Sequence, residues 1–433
     1  MKRIMPLLAA AFAFVAIAPA PAQEGSPSPA PAIVVPAAAQ NVTDPAAATR
    51  AWLETVPADK RAKSDAYFEG GYWLLLWNFL LTVAISLFLL DARVSARMRD
   101  FAERTTRFKA GQVALYAIPY LLLTSLLSFP LNVYEKFFRE HAYGLSTQTF
   151  GAWFGEQLKG LAIGVILFVV LLITLYAVFR RAPRTWWIWG TGVALVFVMF
   201  SALIGPVFIM PLFNKYKPLE DPTISESILA MARANQIPVT QVFEVDASRQ
   251  SNRVSANVAG FLGTTRIALN DNLLKQCTLP EIRSVMAHEM GHFVLNHVMK
   301  FLVDFALIIL VMFAITRVAF DAAVRRWGVR WGVRGIADPA GLPLLALILA
   351  TLAFVFTPID NTITRVAEAE ADAFGINTAR TPDGMAAVAL KLGTYRKLDP
   401  GPIEEWVFFD HPSGRARIRM AMEWKAAHLP AGE

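Results

Sequence analysis

Cysteine is almost absent from this chain of 433 residues, which contains only Cys277. A single cysteine excludes an intramolecular disulfide framework and a cysteine-rich zinc site. Charge is also scarce, because 17% of the residues are charged whereas 55% are hydrophobic. A soluble protein of this length carries more charge. The apolar residues are gathered in long runs, so the composition indicates membrane spans and a lipid bilayer as the surrounding medium.

The N-terminus has the features of a secretory signal. Lys2 and Arg3 precede an apolar run that ends at Ala18, and Ala20-Pro21-Ala22 is a small-x-small cleavage site. We predict a signal peptide over residues 1–22, with an uncleaved first transmembrane helix as the alternative. Residues 23–66 are predicted to be a flexible linker and pre-membrane segment without packed structure, because proline and alanine dominate up to residue 48.

Six further segments are long and apolar enough to cross a bilayer. Four of them make an N-terminal membrane domain over residues 67–209, and two occupy residues 301–358. Their approximate bounds are Tyr72–Leu90, Val113–Leu131, Gly160–Phe179, Thr185–Val207, Phe301–Phe320 and Ala340–Pro358.

The net charge of +7 follows the membrane topology and does not favour nucleic acid as a partner. Arginines are concentrated in three alternate loops, 92–111, 180–184 and 321–339. All three loops can lie on one side, which the positive-inside rule makes cytoplasmic. Residues 210–300 and the tail from residue 359 then lie outside. We therefore predict a bacterial inner-membrane protein whose polar segments, residues 210–300 and the tail, are periplasmic.

The polar residues 210–300 resemble a soluble domain. Thr223 and Glu226 form a candidate capping box for one helix, and Thr278 and Glu281 form another. The predicted strands are residues 241–246, 256–262 and 266–270. Gly263-Thr264-Thr265 is predicted to form the hairpin turn between the last two strands. The fold class is therefore a predominantly α, polytopic membrane protein with a small α+β domain.

The run His288-Glu289-Met290-Gly291-His292 is an H-E-x-x-H pattern in the helix that follows Thr278. Histidines at i and i+4 share one helical face, so both imidazoles can bind one zinc ion. Glu289 can then act as the base towards zinc-activated water. A chance match is the alternative. Three of the six histidines in the chain, namely His288, His292 and His297, fall within ten residues, which argues against a chance match.

A catalytic zinc takes about three protein ligands and keeps one position for water. The third ligand is sought in residues 365–372, just after the last span. Glu368 and Asp372 share a helix face, so one can bind zinc while the other supports it or acts on the leaving group. Arg365, one turn earlier, can neutralise and orient Glu368. A solvated helix face is the alternative.

The C-terminal catalytic segment, residues 359–433, contributes His411 and Arg417 as candidates to stabilise the oxyanion. His297 is predicted to support the site without binding metal, because its offset leaves the face of His288 and His292. The site as predicted holds one Zn²⁺ per chain and cleaves a peptide or protein.

These motifs resemble peptidase family M48, in particular its integral-membrane CAAX prenyl endopeptidases. Asn361-x-x-Thr364-Arg365-x-x-Glu368-x-x-Ala371-Asp372 is similar to the second signature of that family. The resemblance implies that Glu368 is the third zinc ligand and that Asp372 is the proton donor or a supporting carboxylate. It also implies that His411 and Arg417 lie near the oxyanion.

The resemblance further implies a ring of transmembrane helices around a chamber that contains the zinc. The edge strand that binds substrate in the family is matched by Ser255-Ala256-Asn257, which departs from the usual Asn-Ala start. Substrates are then peptides or proteins, lipidated and membrane-associated ones included. In eukaryotic relatives the catalytic domain faces the cytosol, which differs from the topology predicted here.

Two other functions are alternatives. A site-2-type intramembrane protease combines H-E-x-x-H with an aspartate from an N-P-D-G-like run, which Thr381-Pro382-Asp383-Gly384 superficially matches. His288 follows soluble-type sequence, however, and does not lie inside a span. A membrane scaffold or transporter with a structural metal is the non-enzyme alternative, but the spans are nearly free of ionisable residues.

Overall fold

The computed structural model describes residues 34–259 and 265–429. The predicted signal peptide and most of the predicted Gly263–Thr265 turn lie outside the described residues. The helices up to the catalytic segment are α1 (Ala37–Gln40), α2 (Pro45–Glu54), α3 (Ala58–Asp91), α4 (Val94–Thr105), α5 (Lys109–Ala142), α6 (Phe150–Arg181) and α7 (Trp186–Leu212).

The second half of the chain contains the strands and the remaining helices. The strands are β1 (Tyr216–Pro218), β2 (Val242–Val245), β3 (Ala256–Ala259) and β4 (Arg266–Asn270). The helices are α8 (Pro222–Ala234), α9 (Asp271–Gln276), α10 (Leu279–Val294), α11 (His297–Trp331), α12 (Leu342–Ala379), α13 (Pro382–Leu392), α14 (Pro402–Phe408) and α15 (Gly414–His428).

Six helices in the described part of the chain are long and apolar enough to cross a membrane, namely α3, α5, α6, α7, α11 and α12. They correspond to the six predicted spans, which are therefore confirmed. Each contacts the next in that order and α12 contacts α3, so the helices close into a ring. Their most apolar windows are at most 22% buried, because each helix faces the outside on one side and the ring interior on the other.

The arginine-rich loops meet at one end of this ring. Arg93 donates to the carbonyls of Val329 and Arg330, both at 2.7 Å, and Arg99 and Asp338 form a buried ion pair. These contacts join the end of α3 to the end of α11, and α4 to the link between α11 and α12. In the first half of α3, the hydroxyl of Tyr72 instead donates to a carboxylate of α14 at 2.8 Å. The catalytic segments therefore lie at the end opposite the arginines.

A four-stranded sheet of order β1-β2-β4-β3 supports the catalytic segment. β2 and β4 are parallel, and the outer strands β1 and β3 pair antiparallel with them. Ile267 and Leu269 of β4 and Met286 and Met290 of α10 are fully buried together. The helix α10 also packs against α12 and α13, so the two parts of the chain on either side of the last two spans form one packed body.

The segment predicted to be a flexible linker is partly folded, and that prediction is wrong from α1 onwards. Asp44 caps α2 by accepting the Ala46 N–H at 2.8 Å. Trp52 and Leu53 are buried in a core shared with α13 and α15. The proline and alanine content suggested disorder, but two large apolar side chains give the segment enough buried surface to fold against the C-terminal helices.

One helix cap also differs from the prediction. Asp221 caps α8, because its Oδ1 accepts the Thr223 N–H at 2.8 Å, so Thr223 is not the cap. Aspartate before proline at the first helical position is an equally favoured start. The cap of α10 is as predicted, because Glu281 accepts the Thr278 N–H at 2.6 Å.

Candidate active site and metal centre

The helix α10 presents His288 and His292 on one face, as their spacing predicts. Its opposite face is anchored in the core by Met286 and Met290, neither of which is exposed to solvent. The apolar face therefore fixes the rotation of the helix, and that rotation turns both histidines towards α12.

Two glycines let α10 and α12 approach closely. A Cβ on Gly291 would lie 3.1 Å from the Cα of Ala371, and a Cβ on Gly375 would lie 3.0 Å from the backbone nitrogen of His288. Contacts this short leave no room for a larger residue at either position. The glycines therefore bring the carboxylates of α12 to the histidines of α10.

His288, His292 and Glu368 form the group that can hold a metal ion in the described part of the chain. The two Nε2 atoms are 3.2 Å apart, and they lie 3.2 and 3.4 Å from the carboxylate oxygens of Glu368. Ligand atoms about 2.0–2.1 Å from a tetrahedral zinc are separated by about 3.3 Å. The donor set, two imidazoles and one carboxylate, also suits catalytic zinc, so the site fits the ion in chemistry and in spacing.

The second ring nitrogens of both histidines are occupied. His288 Nδ1 donates to Asp372 at 2.8 Å, and His292 Nδ1 lies 2.8 Å from His297 Nδ1. His297 Nε2 is 3.0 Å from Glu370, to which it can donate. His297 Nδ1 is then the acceptor and His292 Nδ1 the donor. With hydrogens on Nδ1, both histidines direct an Nε2 lone pair to the candidate metal position.

Arg417 links the carboxylates of α12 from the other side. Its Nε lies 2.8 Å from Asp372, and its NH2 group lies 3.3 Å from Glu368. Arg417 and Asp372 are both buried. This guanidinium, and not Arg365 as predicted, neutralises Glu368.

Arg365 has a different task from the one predicted. It donates to the carbonyls of Glu405, at 3.0 Å, and Phe409, and to the hydroxyl of Thr362 at 3.1 Å. It therefore fixes the chain that leads from α14 to His411. The helical turn places its side chain beside α14, which spacing along α12 alone could not show.

Burial and charge shift the pKa values of two residues in α10. Burial opposes protonation of His288, but the hydrogen bond and negative charge of Asp372 outweigh it and raise the pKa of His288 to about 9. The site therefore favours positive charge at the position of the ligands. Burial raises the pKa of Glu289 above its usual range, against the lowering effect of the two histidines. A raised pKa suits a carboxylate that must accept a proton.

His411 is at the edge of the metal group, as predicted. Its Nε2 lies 3.2 Å from Glu368, and its Nδ1 donates to Asp410 at 2.7 Å. The NH2 group of Arg396, which the sequence did not single out, lies 3.4 Å from His411 Nε2. No spacing pattern connects Arg396 with His411, because it lies in a loop between helices, and only the fold brings the two together.

The strand β3 carries the predicted substrate-binding residues. Ser255 precedes it, and Ala256 and Asn257 pair with Leu269 and Ala268 of β4. β3 is an outer strand of the sheet, and it contacts α10. An edge strand beside the metal group offers free backbone groups with which an extended peptide can pair.

Asp383, the aspartate that a site-2-type protease would require, does not join the metal group. It accepts from Lys425 at 2.6 Å, near the N-terminus of α13. It serves to hold α15 against α13, and the third member of the candidate metal group is Glu368.

Comparison with known proteins agrees with this geometry. The model of peptidase family M48 matches residues 218–425. The model of the CAAX prenyl protease N-terminal region, with five membrane helices, matches residues 39–215. The first contains the candidate metal site, and the second contains the first four helices of the ring.

Curated relatives and a solved structure match most of the chain. The YhfN metalloprotease of Bacillus subtilis is 29% identical over 352 residues, which cover 79% of this chain and 82% of that protein. CAAX prenyl protease 1 of Saccharomyces cerevisiae is 26% identical over 68% of this chain and 69% of its own length. The crystal structure of Ste24p from S. mikatae has the same fold, with a TM-score of 0.71 at 22% identity, covering 85% of this chain and 89% of that one. The chain belongs to peptidase family M48 and is an integral-membrane zinc metalloendopeptidase.

Proposed function

We propose that one zinc ion per chain is held by His288, His292 and Glu368, and that peptide bonds are cleaved there. The observation that carries this proposal is the convergence of two Nε2 atoms and one carboxylate within 3.4 Å of one another. We also propose that residues 210–300 and 359–433 act as one catalytic unit, since α10 and α12 supply the ligands together.

The residues around the ligands have separate tasks in this proposal. Zinc, when bound, supplies a Lewis acid and lowers the pKa of water to about 7. Glu289 accepts the proton of the attacking water and passes it to the leaving amine. His411 and Arg417 stabilise the negative charge that develops on the scissile carbonyl oxygen. Asp372 fixes the tautomer of His288, and His297 does the same for His292.

The substrate we propose is an extended peptide that pairs with β3, next to Ser255, Ala256 and Asn257. Several relatives carry the name CAAX prenyl protease, which makes lipidated peptides the first to test. The helical ring supports membrane-associated substrates, because the metal group lies at the end of two of its helices. Nucleic acid is not proposed as a partner, since the basic loops lie at the opposite end of the ring.

We propose a bacterial inner-membrane location with the catalytic unit in the periplasm. The arginine-rich loops gather at one end of the ring and the metal group lies at the other, which supports this orientation under the positive-inside rule.

Two substitutions test the catalytic proposal. Glu289→Gln should abolish peptide hydrolysis while zinc remains bound, because the amide cannot accept the proton. Glu368→Ala should lose zinc, because only two ligands remain. Zinc content is measured by atomic emission on the purified protein, and hydrolysis with a fluorogenic peptide. Turnover by the Glu289→Gln protein would refute the assigned base, and full zinc content in the Glu368→Ala protein would remove Glu368 from the ligands.

A further inference from the structure

The loop between α13 and α14 contains an arginine that the proposed mechanism leaves unused. Arg396 is half-buried and lines a small cavity with His411, Ser413 and Arg417. Its guanidinium lies 3.4 Å from His411 Nε2. Within residues 34–259 and 265–429, no carboxylate lies within ion-pair distance of Arg396, whereas Arg417 pairs with two.

This unpaired charge is costly to bury. A guanidinium removed from water without an anion in contact with it loses hydration that an imidazole nitrogen at 3.4 Å does not replace. Burial and the nearby charge of Arg417 lower the pKa of Arg396, against the raising effect of Asp410 and Glu368, neither of which is in ion-pair contact with it. An arginine is retained in such a position at a cost to folding, and a carboxylate arriving from outside would relieve that cost.

The loop that carries Arg396 is held firmly in place. The hydroxyl of Ser64 in α3 donates to the carbonyl of Arg396 at 3.1 Å. Lys397 pairs with Glu69 at 2.6 Å and Glu404 at 2.9 Å, so α3 and α14 both fix the next residue. The guanidinium is therefore attached to a fixed backbone, and binding an anion need not order the loop first.

The position of the loop relates Arg396 to a bound peptide. Tyr395 lies under the guanidinium of Arg253, 5.2 Å from ring centre to carbon, and Arg253 directly precedes the segment that leads into β3. On its other side the loop contacts His411, which is 3.2 Å from Glu368. Arg396 thus lies between the edge strand and the metal group, close to where a bond would be cleaved.

We propose that Arg396 binds a carboxylate of the substrate close to the cleaved bond, and so selects acidic substrates; this rests on the proposed peptidase function. The planar guanidinium matches a carboxylate with two parallel hydrogen bonds, which a lysine cannot reproduce. The carboxylate belongs either to the C-terminus of the peptide or to an aspartate or glutamate side chain.

The test uses the full-length zinc-loaded protein in detergent and two series of fluorogenic peptides. In the first series the C-terminus is free or amidated, at one to four residues beyond the cleaved bond. In the second all peptides are amidated, with Glu or Gln at each position beside the cleaved bond. We expect kcat/KM of the native protein to be about tenfold to a hundredfold higher for one carboxylate-bearing form than for its neutral twin, as for a hydrogen-bonded charge. The series that shows this preference identifies the source.

Substitutions then assign the preference to Arg396. Arg396→Gln should remove it, mainly by raising KM for the acidic peptide, and Arg396→Lys should restore part of it. Arg415→Gln is the matched control, because Arg415 is an exposed arginine paired with Asp399. An equal loss for acidic and neutral peptides in Arg396→Gln would instead make Arg396 a support for His411 and overturn the proposal. So would the absence of any preference in the native protein.

These outcomes are separate from failure of the proposed peptidase function. Hydrolysis of both peptide forms by the native protein, lost in Glu289→Gln, upholds the peptidase whatever Arg396 does. If the native protein cleaves neither form of any peptide, the proposed function fails and the selection by Arg396 fails with it.

Discussion

At the scale of single residues, the two proposed zinc-binding histidines are supported by different kinds of partner. His288 donates directly to the buried carboxylate of Asp372. The Nδ1 of His292 instead contacts His297, whose side chain is 1% exposed, and His297 in turn contacts Glu370, whose side chain is 42% exposed. Glu370 faces away from the metal group, as its position in the helix predicts, but it still acts on that group through two imidazoles.

This arrangement predicts a role for Glu370 in holding the metal. Glu370→Ala removes the hydrogen-bond acceptor that fixes the tautomer of His297. The hydrogen bond from His292 Nδ1 to His297 is then weaker, so His292 is held less firmly in the tautomer that binds metal. Loss of such a supporting carboxylate lowers metal affinity by about 10- to 100-fold. We expect faster zinc release to a chromogenic chelator, with Glu423→Ala as a control on an exposed carboxylate of α15. Equal release rates for the two variants would exclude this support.

The only cysteine gives a prediction that depends on pH. Burial raises the pKa of Cys277 to about 12, against the lowering effect of Lys391. The thiolate is the reactive form, and a raised pKa leaves very little of it at pH 8. We expect slow alkylation by iodoacetamide at pH 8 in the folded protein, which speeds up as the pH rises and when the protein is denatured. Alkylation of the folded protein at the denatured rate would contradict the burial of Cys277.

At the scale of elements, the crossing of α10 and α12 decides whether the ligands meet. A methyl group on Gly375 would be 3.0 Å from the backbone of His288, so Gly375→Ala must push the two helices apart. We expect lower zinc content and lower activity, although alanine favours helix by about 1 kcal/mol over glycine. Gly155→Ala is the control, because no atom lies within 4 Å of its Cβ position. Native zinc content in Gly375→Ala would show that the crossing is more tolerant than the spacing indicates.

At the scale of the whole molecule, the ring separates the arginine-rich end from the metal group. Labelling of introduced cysteines can test the proposed orientation in a Cys277→Ser background. Glu220→Cys, at the catalytic end, should react with a membrane-impermeant maleimide added to intact spheroplasts. Arg107→Cys, at the other end, should react only after lysis; both positions are exposed. The reverse pattern would place the catalytic unit in the cytoplasm.

The sequence by itself determined the features that depend on local spacing. Six apolar runs predicted the six ring helices because a bilayer sets their length. The i, i+4 spacing of His288 and His292, and of Glu368 and Asp372, predicted which side chains share a face. Helical periodicity fixes such relations before any tertiary contact forms. The resemblance to peptidase family M48 then predicted that Glu368 binds the same zinc ion as His288 and His292.

Tertiary structure decided which distant groups meet. Arg417 rather than Arg365 neutralises Glu368, because the tail returns across α12, whereas Arg365 turns towards α14. Trp52 folds a segment whose composition indicated a linker, because partners for its burial lie in α13 and α15, more than 300 residues later. Arg396 reaches His411 only because α3 fixes its loop. Such contacts join residues far apart in the chain, and neither composition nor periodicity carries information about them.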